Sequence, residues 1–283
     1  MRSVALIQIP YDSGHRNMRM GNGPAALIAR GLPDRLKALC EVENLEVHLP
    51  NGFHSEAQAL VALQNSAATV TRDVINRGKL PILLSGNCGT AALSATAALG
   101  NQTGVIWFDA HGDCNTPETS PSGFLDGMCL AILTSQCWSK LTPRLESFAP
   151  IPGKNVIQIG VRHVDPEEKL LIESLSIKRI SSDQTDRFVN AVESLRERAS
   201  QFYVHLDADV LDISEGAANS YACSGGLTRQ QLNDCVRTIA ATGLTGAVAI
   251  TSYDPATDAD GRIADILIEA ASILVCAPNA SRR

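Results

Sequence analysis

Short apolar runs of four to six residues alternate along this chain with longer segments whose apolar positions fall three and four apart. The two periods predict alternating strands and helices. Strands are expected at 4–9, 81–84, 104–108, 156–160, 177–180, 203–206 and 246–251. Helices are expected from Pro24, where proline suits the first turn, and over 56–76, 90–99, 167–174, 185–198, 228–242 and 263–276. Residues 104–108 (GVIWF) are apolar at every position, as in a strand covered on both faces. Repeated βα units require crossovers and give a mainly parallel sheet between two helical layers. The expected fold is therefore a three-layer α/β/α domain. With no repeat, low-complexity tract or Gly/Ser linker to divide it, one domain is expected over residues 1–283.

Polar residues interrupt this pattern most sharply where two strands end. The 104–108 run leads into Asp109-Ala110-His111-Gly112-Asp113, and if the chain stays extended the three ligand-type side chains project to one side. The 203–206 run leads into Asp207-Ala208-Asp209, with Asp212 beyond. A single D-x-H-x-D string also reads as a strand cap or a solvated turn. Two such strand ends present more carboxylates than one cation needs, and that many buried charges are costly without compensation. Two divalent cations sharing bridging carboxylates would neutralise them, in the crevice beyond the carboxyl ends of parallel strands where ligands bind.

Composition narrows the class. The chain has 283 residues, 45% hydrophobic and 19% charged, enough for an ample core, and only 4% are aromatic. A formal charge of −6 without a basic cluster argues against a nucleic-acid partner and is compatible with a small cationic substrate. Eight cysteines without a CxxC pair read as reduced thiols of a cytoplasmic protein. The apolar run 4–9 is too short for a secretory segment and no stretch is long enough to span a bilayer, so no membrane partner is expected. No strand is followed by GxGxxG, which disfavours a dinucleotide enzyme. The Pro/Ser/Thr-rich stretch 116–123 is expected as a functional loop beside the strand-end carboxylates.

These residues resemble the ureohydrolases, the family of arginase, agmatinase and formiminoglutamase. VIWFDAHGDCNTPETSPSGFLDGM (105–128) is similar to arginase's metal and substrate loop, and HLDADVLD (205–212) to the family's second aspartate motif. GVRHVDPEE (160–168) resembles the segment that meets the substrate α-amino group, while MGNGP (20–24) and SYDPATD (252–258) fit early and late strand-end positions. The resemblance implies an arginase-like fold and metal-assisted hydrolysis of a small guanidino substrate, releasing urea or hydroxyurea. It further implies two manganese ions held by Asp109, His111, Asp113, Asp207 and Asp209, with Asp113 also orienting or accepting a proton, and a homo-oligomer, trimer or hexamer. Asn115 and Ser122 match positions contacting a substrate α-carboxylate, and Asp165 and Glu168 positions near an α-amino group. The same four also read as a turn former, a loop hydroxyl and a helix cap.

The chain departs from the arginase pattern at several positions. Where arginases have GGDH it has SGNC, which puts Cys88 on a histidine ligand position near a helix N-terminus. A thiolate there brings zinc or iron in as alternatives to manganese, while a plain packed cysteine is the other reading. Asp126 stands where arginases carry a proton-shuttling histidine, Ser252 where they carry a glutamate for the guanidinium, and Phe124 where they carry an asparagine. Asp126 is accordingly a candidate proton shuttle, a replacement negative charge or a solvated carboxylate. The combination looks more like amidinohydrolases acting on Nω-hydroxy-arginine, whose guanidine is less basic; modified or peptide-bound arginine, or a metabolite-binding protein without turnover, are the rival readings.

Overall fold

Among residues 3–276, the residues that the computed structural model describes, there are ten strands, most of them the apolar runs, and nine α-helices. In chain order they are β1 (Val4–Ile9), β2 (Tyr11–Asp12), β3 (His15–Arg16), α1 (Gly23–Ala29), α2 (Leu32–Lys37), β4 (Val42–Glu46), α3 (Glu56–Asn76) and β5 (Leu80–Ser85). There follow α4 (Cys88–Leu99), β6 (Thr103–Phe108), α5 (Cys129–Leu133), β7 (Val156–Ile159), α6 (Pro166–Ser174), β8 (Lys178–Ile180) and α7 (Phe188–Arg196). The chain closes with β9 (Gln201–Asp207), α8 (Arg229–Ala241), β10 (Thr245–Thr251) and α9 (Arg262–Val275).

Eight strands make one sheet in the order β4-β1-β5-β10-β9-β6-β7-β8, and every neighbouring pair is parallel. Successive side chains leave the sheet on opposite faces, so each buried strand feeds two cores. Val204, Leu206, Ile106 and Phe108 pack with α7, α8 and α9, whereas Tyr203, Val105 and Trp107 pack with α3, α4 and α5. The expected three layers are therefore present, with a mainly parallel sheet at the centre.

Helix α4 lies between the sheet and α3, and every residue from Cys88 to Ala97 is buried. Its glycine, alanines, serine and threonines are small enough to let backbone approach backbone on both sides. This helix begins two residues before the expected 90–99 segment, which puts Cys88 in its first turn. Local sequence concealed the shift, because Asn87 makes no side-chain cap bond to its own helix. The expected helix over 185–198 is instead a 3-10 stretch (Ser182–Arg187) running into α7, with a break at Gln184. Strand β4 and helices α2 and α5 escape pattern reading. β4 (VENLE) is an edge strand with no fully buried residue, so it carries no apolar run. No helix among the described residues is long and apolar enough to cross a membrane.

The crossing from β5 to α4 passes through Gly86, where an added Cβ would overlap the carbonyl oxygen of Tyr11 and the backbone of Gly21. Backbone, unlike a flexible side chain, cannot yield cheaply. Gly86→Ala is expected to lower stability by about 1–3 kcal/mol, read as a fall in the urea midpoint at unchanged slope. An unchanged midpoint would mean that the loop has room to move.

Candidate metal centre

The four central strands β5, β10, β9 and β6 end side by side, and each delivers a ligand-type or polar residue to one crevice. Cys88 follows β5, Thr251 ends β10 with Ser252 just after it, Asp207 ends β9, and Asp109 follows β6. Hydrogen bonds lock this layer. Trp107 Nε1 donates to Asp109 Oδ2 at 2.9 Å, and the His111 amide donates to Asp109 Oδ1 at 2.7 Å. Asp207 Oδ1 accepts from the Asp209 amide at 2.9 Å, and Asn219 Nδ2 donates to Asp209 Oδ2 at 3.1 Å. The Cys88 sulfur lies 3.0 Å from Asp207 Oδ2 and 3.2 Å from the hydroxyls of both Thr251 and Ser252.

Two groups of ligand atoms, each mutually within 4.8 Å, emerge among the described residues: Cys88, Asp109, His205 and Asp207, and Asp109, His111 and Asp209. Ligands about 2.0–2.3 Å from one ion stand at most roughly 4.6 Å apart, so both groups match the span of a coordination sphere. Asp109 belongs to both. Five of the six expected ligands thus fall into these groups. Asp113 does not.

Asp113 lines the same pocket, beside these groups, but strict alternation does not carry it there. The chain already bends at Ala110 before His111 bridges His163, and Asp113 adopts a left-handed backbone with φ 51°. Its Oδ2 accepts from Cys129 Sγ at 3.3 Å. Alternation also fails beyond Asp207, where residues 208–210 form a 3-10 turn; that turn, rather than a strand, carries Asp209 back to the site. Ser252 shares the left-handed conformation at φ 58°, and such strained residues persist where surrounding structure over-determines them.

Electrostatics show how poorly these anions sit together. Burial, followed by the charges of neighbouring carboxylates, pushes Asp113 and Asp207 well above the ordinary carboxyl range. Burial likewise raises Asp109, with the His111 hydrogen bond opposing it. Burial works against His111 too, yet its bonds to Asp109 and Asp209 raise it to about 12, and Asp209 is held at about 2 against its own burial, chiefly by the bond to His111. A proton on His111 therefore stands where positive charge is needed, and a divalent cation fits the same place by displacing it. Carboxylate and imidazole donors suit a hard or borderline ion, and the sulfur softens one end.

The helix N-terminus does not favour a Cys88 thiolate as expected. Burial, a contact with Cys129 and the charges of Asp207 and Asp126 push the thiol well above its usual value. The amides that would stabilise an anion are occupied by Asp126. Its Oδ2 accepts from Cys88 N and from Asn87 Nδ2, both at 2.9 Å, and its Oδ1 accepts from Gly89 N at 2.8 Å. Asp126 is thus no solvated carboxylate: burial raises it to about 6 against those three donors.

One pocket gathers the remaining expected residues. It is lined by Asn115, Ser122, Asp126, Asp165, Glu168 and Ser252 together with Cys88, His111, Asp113, Asp207 and Asp209, and Asp109 lies buried beneath it. Asn115 donates to Asp165 Oδ2 at 2.9 Å and accepts from Thr119 at 2.9 Å. Glu168 closes a capping box with Asp165 and accepts from Cys114 N at 2.8 Å, so its carboxylate braces the loop after His111. Ser122 accepts from Phe124 N at the exposed rim, as expected for the 116–123 loop. Phe124 stacks on Tyr221 across the mouth, with ring centroids 6.0 Å apart.

Sequence reading missed His205, Asn219, Tyr221 and Cys129. His205 carried a usable signal, since it precedes Asp207 by two on the same strand face. It stacks on Trp107 at 3.6 Å, and burial lowers it to about 3, leaving the ring neutral. Asn219 and Tyr221 arrive from a loop and Cys129 from the start of the short α5, and none of them carried one.

A parallel α/β sheet whose central strand tips gather aspartates, an imidazole and a thiol defines a metal-binding α/β protein. The comparisons narrow that class. The sequence pattern of the arginase family matches residues 2–277, and the chain belongs to that family of hydrolases. It is 29% identical over 289 residues to the arginase of Bacillus caldovelox, covering 95% of this chain and 96% of that protein. It is 28% identical over 285 residues to the arginase of Staphylococcus aureus strain MSSA476, covering 93% and 94%. The solved structure of the Bacillus caldovelox arginase superposes with a TM-score of 0.88 at 27% identity over 97% of this chain and 98% of that one.

Proposed function

We propose that the protein is a binuclear amidinohydrolase acting on a weakly basic guanidino compound, Nω-hydroxy-arginine before free arginine, with release of hydroxyurea. Asp109 would be shared between two cations, with Cys88 and Asp207 at one end and His111 and Asp209 at the other. Manganese is the first choice because oxygen and nitrogen donors outnumber the sulfur, and zinc or iron are the alternatives. Bound there, the cations would supply an activated water and stabilise developing charge at neutral pH. Asp113, which lines the pocket, would hold a proton between water and leaving amine. Asn115, Asp165 and Ser122 would orient the amino-acid end of the substrate, with Glu168 bracing Asp165.

The observation that carries the substrate reading is the state of Asp126. Ser252 stands where arginases place a carboxylate, and both Asp126 oxygens are already engaged by α4 and Asn87. A fully charged guanidinium therefore lacks a free carboxylate partner there, and a hydroxylated guanidine needs one less. Losing a charge-assisted hydrogen bond costs about 1.5–3 kcal/mol.

With manganese present, kcat/KM for Nω-hydroxy-arginine is expected to exceed that for arginine by roughly 10–100-fold, with agmatine and arginyl peptides poorer still. A preference for arginine would overturn the assignment. Bound metal with no product from any of the four would establish the non-catalytic alternative that the departures at Asp126 and Ser252 favour.

A further inference from the structure

Behind Cys88 runs a line of buried polar groups that the hydrolytic chemistry does not use. Tyr203, His205 and Asp207 share one face of β9, and Thr251 ends the neighbouring strand β10 in register with Asp207. The Tyr203 hydroxyl lies 2.7 Å from His205 Nδ1. Thr251 Oγ1 lies 3.2 Å from His205 Nε2 and 3.2 Å from Cys88 Sγ. All four side chains are buried.

The direction of each hydrogen bond follows from counting protons. Among the described residues the Tyr203 hydroxyl has one partner, the His205 ring, so its O–H donates to Nδ1. A neutral imidazole accepting at Nδ1 carries its hydrogen on Nε2 and donates it to Thr251. Thr251, accepting from His205, turns its own O–H to its other neighbour, the Cys88 sulfur. Every polar hydrogen in the row then has an acceptor, and the sulfur is the last of them.

We propose that Tyr203, His205 and Thr251 are positioning residues that aim a hydrogen bond at the Cys88 sulfur and hold it in place as a ligand for the cation at its end of the site. The proposal rests on the reading of Cys88 as a ligand. The sulfur's S–H is directed at Asp207 and its place would pass to the cation, while the Thr251 hydroxyl is a second, separate contact that would remain. The row acts as an outer layer of support of the kind that orients and tunes a metal ligand. It also accounts for an imidazole two residues from a ligand aspartate, stacked on Trp107, buried and unprotonated.

Cobalt(II) provides the test, because a bound thiolate adds a near-ultraviolet sulfur-to-cobalt charge-transfer band. The parent protein is expected to bind two cobalt ions and show the band. Thr251→Val removes the donor at nearly constant volume; it is expected to shift the band to lower energy and weaken one cobalt ion about 10–100-fold. Thr251→Ser is expected to restore both. Tyr203→Phe is the more telling variant, since its missing hydroxyl lies two side chains from the sulfur. Without that donor the imidazole tautomer is released, Thr251 is free to donate to the ring instead, and the band is expected to move part of the way towards its Thr251→Val position. A parent protein that binds cobalt without a thiolate band would overturn the ligand reading and this proposal with it. A normal parent band left unmoved by both Thr251→Val and Tyr203→Phe would overturn the proposal alone. So would loss of a cobalt ion in His205→Gln with both ions and band intact in Thr251→Val, which would make His205 a ligand itself.

Discussion

Asp207→Asn is expected to cut turnover by a thousand-fold or more, about 4 kcal/mol of transition-state stabilisation, without lowering the stability of the metal-free protein at pH 8. The two halves have one cause. Asp207 is buried among Asp109, Asp209 and Cys88, and its pKa is pushed well up by that burial and by Asp209 and Asp109. A carboxyl with a folded pKa above its unfolded one favours folding at low pH. Stability is then lost as pH rises from the unfolded value towards the folded one, because the folded state holds the extra proton. Asparagine resembles the protonated form and does not ionise, so it removes that alkaline penalty along with the ligand. The metal-free variant should therefore show a flatter Tm-against-pH curve above pH 4 than the parent. If manganese is the ion held, a hundred times its Kd would stabilise the parent by about 2.7 kcal/mol, a rise of several degrees. The variant should lose most of that rise. Full retention of the manganese-induced shift would refute a ligand role for Asp207.

The second large effect is expected at Asp126, through position rather than through proton transfer. Its carboxylate joins the 116–128 loop to the first turn of α4, the turn that carries Cys88. Asp126→Ala leaves two buried amides and the Asn87 side chain without their acceptor, a loss of about 1–3 kcal/mol in stability. Affinity at the Cys88 end should fall with it, by roughly 10–100-fold. Burial raises Asp126 to about 6, so in the parent its negative charge is lost as pH falls through that value. A protonated oxygen then faces an amide hydrogen, and activity should decline on an acid limb near pH 6. Asp126→Asn should flatten the limb at a lower plateau, since it presents one acceptor oxygen at every pH. If Asp126→Ala instead keeps both metal ions and full stability while slowing proton-dependent steps, the shuttle role suggested by its place in the motif is the right one.

Much of this was legible in the chain before any coordinates. The βα alternation is legible because a parallel strand buried on both faces is mostly apolar at successive positions, as the middles of β5 and β6 are. Asp109, His111, Asp207 and Asp209 follow from where those strands stop, whereas Cys88 was picked out by the family resemblance alone. Edge strand β4 was illegible for the opposite reason: half exposed, it has no apolar run to betray it. The α4 boundary hid because the carboxylate holding its first turn comes from Asp126, 38 residues away. Asn219 and Tyr221 reach the site on an irregular loop, where no periodicity applies.

By itself the sequence determined the layered α/β architecture, the family and the strand ends where charge converges, since all three depend on local pattern and motif. Tertiary structure alone decided that Asp113 reaches the pocket through a left-handed turn, that Asp126 caps a distant helix and that a neutral histidine stands behind the cysteine. Those outcomes depend on which groups burial brings within about 3 Å of one another. Hydrogen bonds between residues far apart in the chain leave no periodic trace in it.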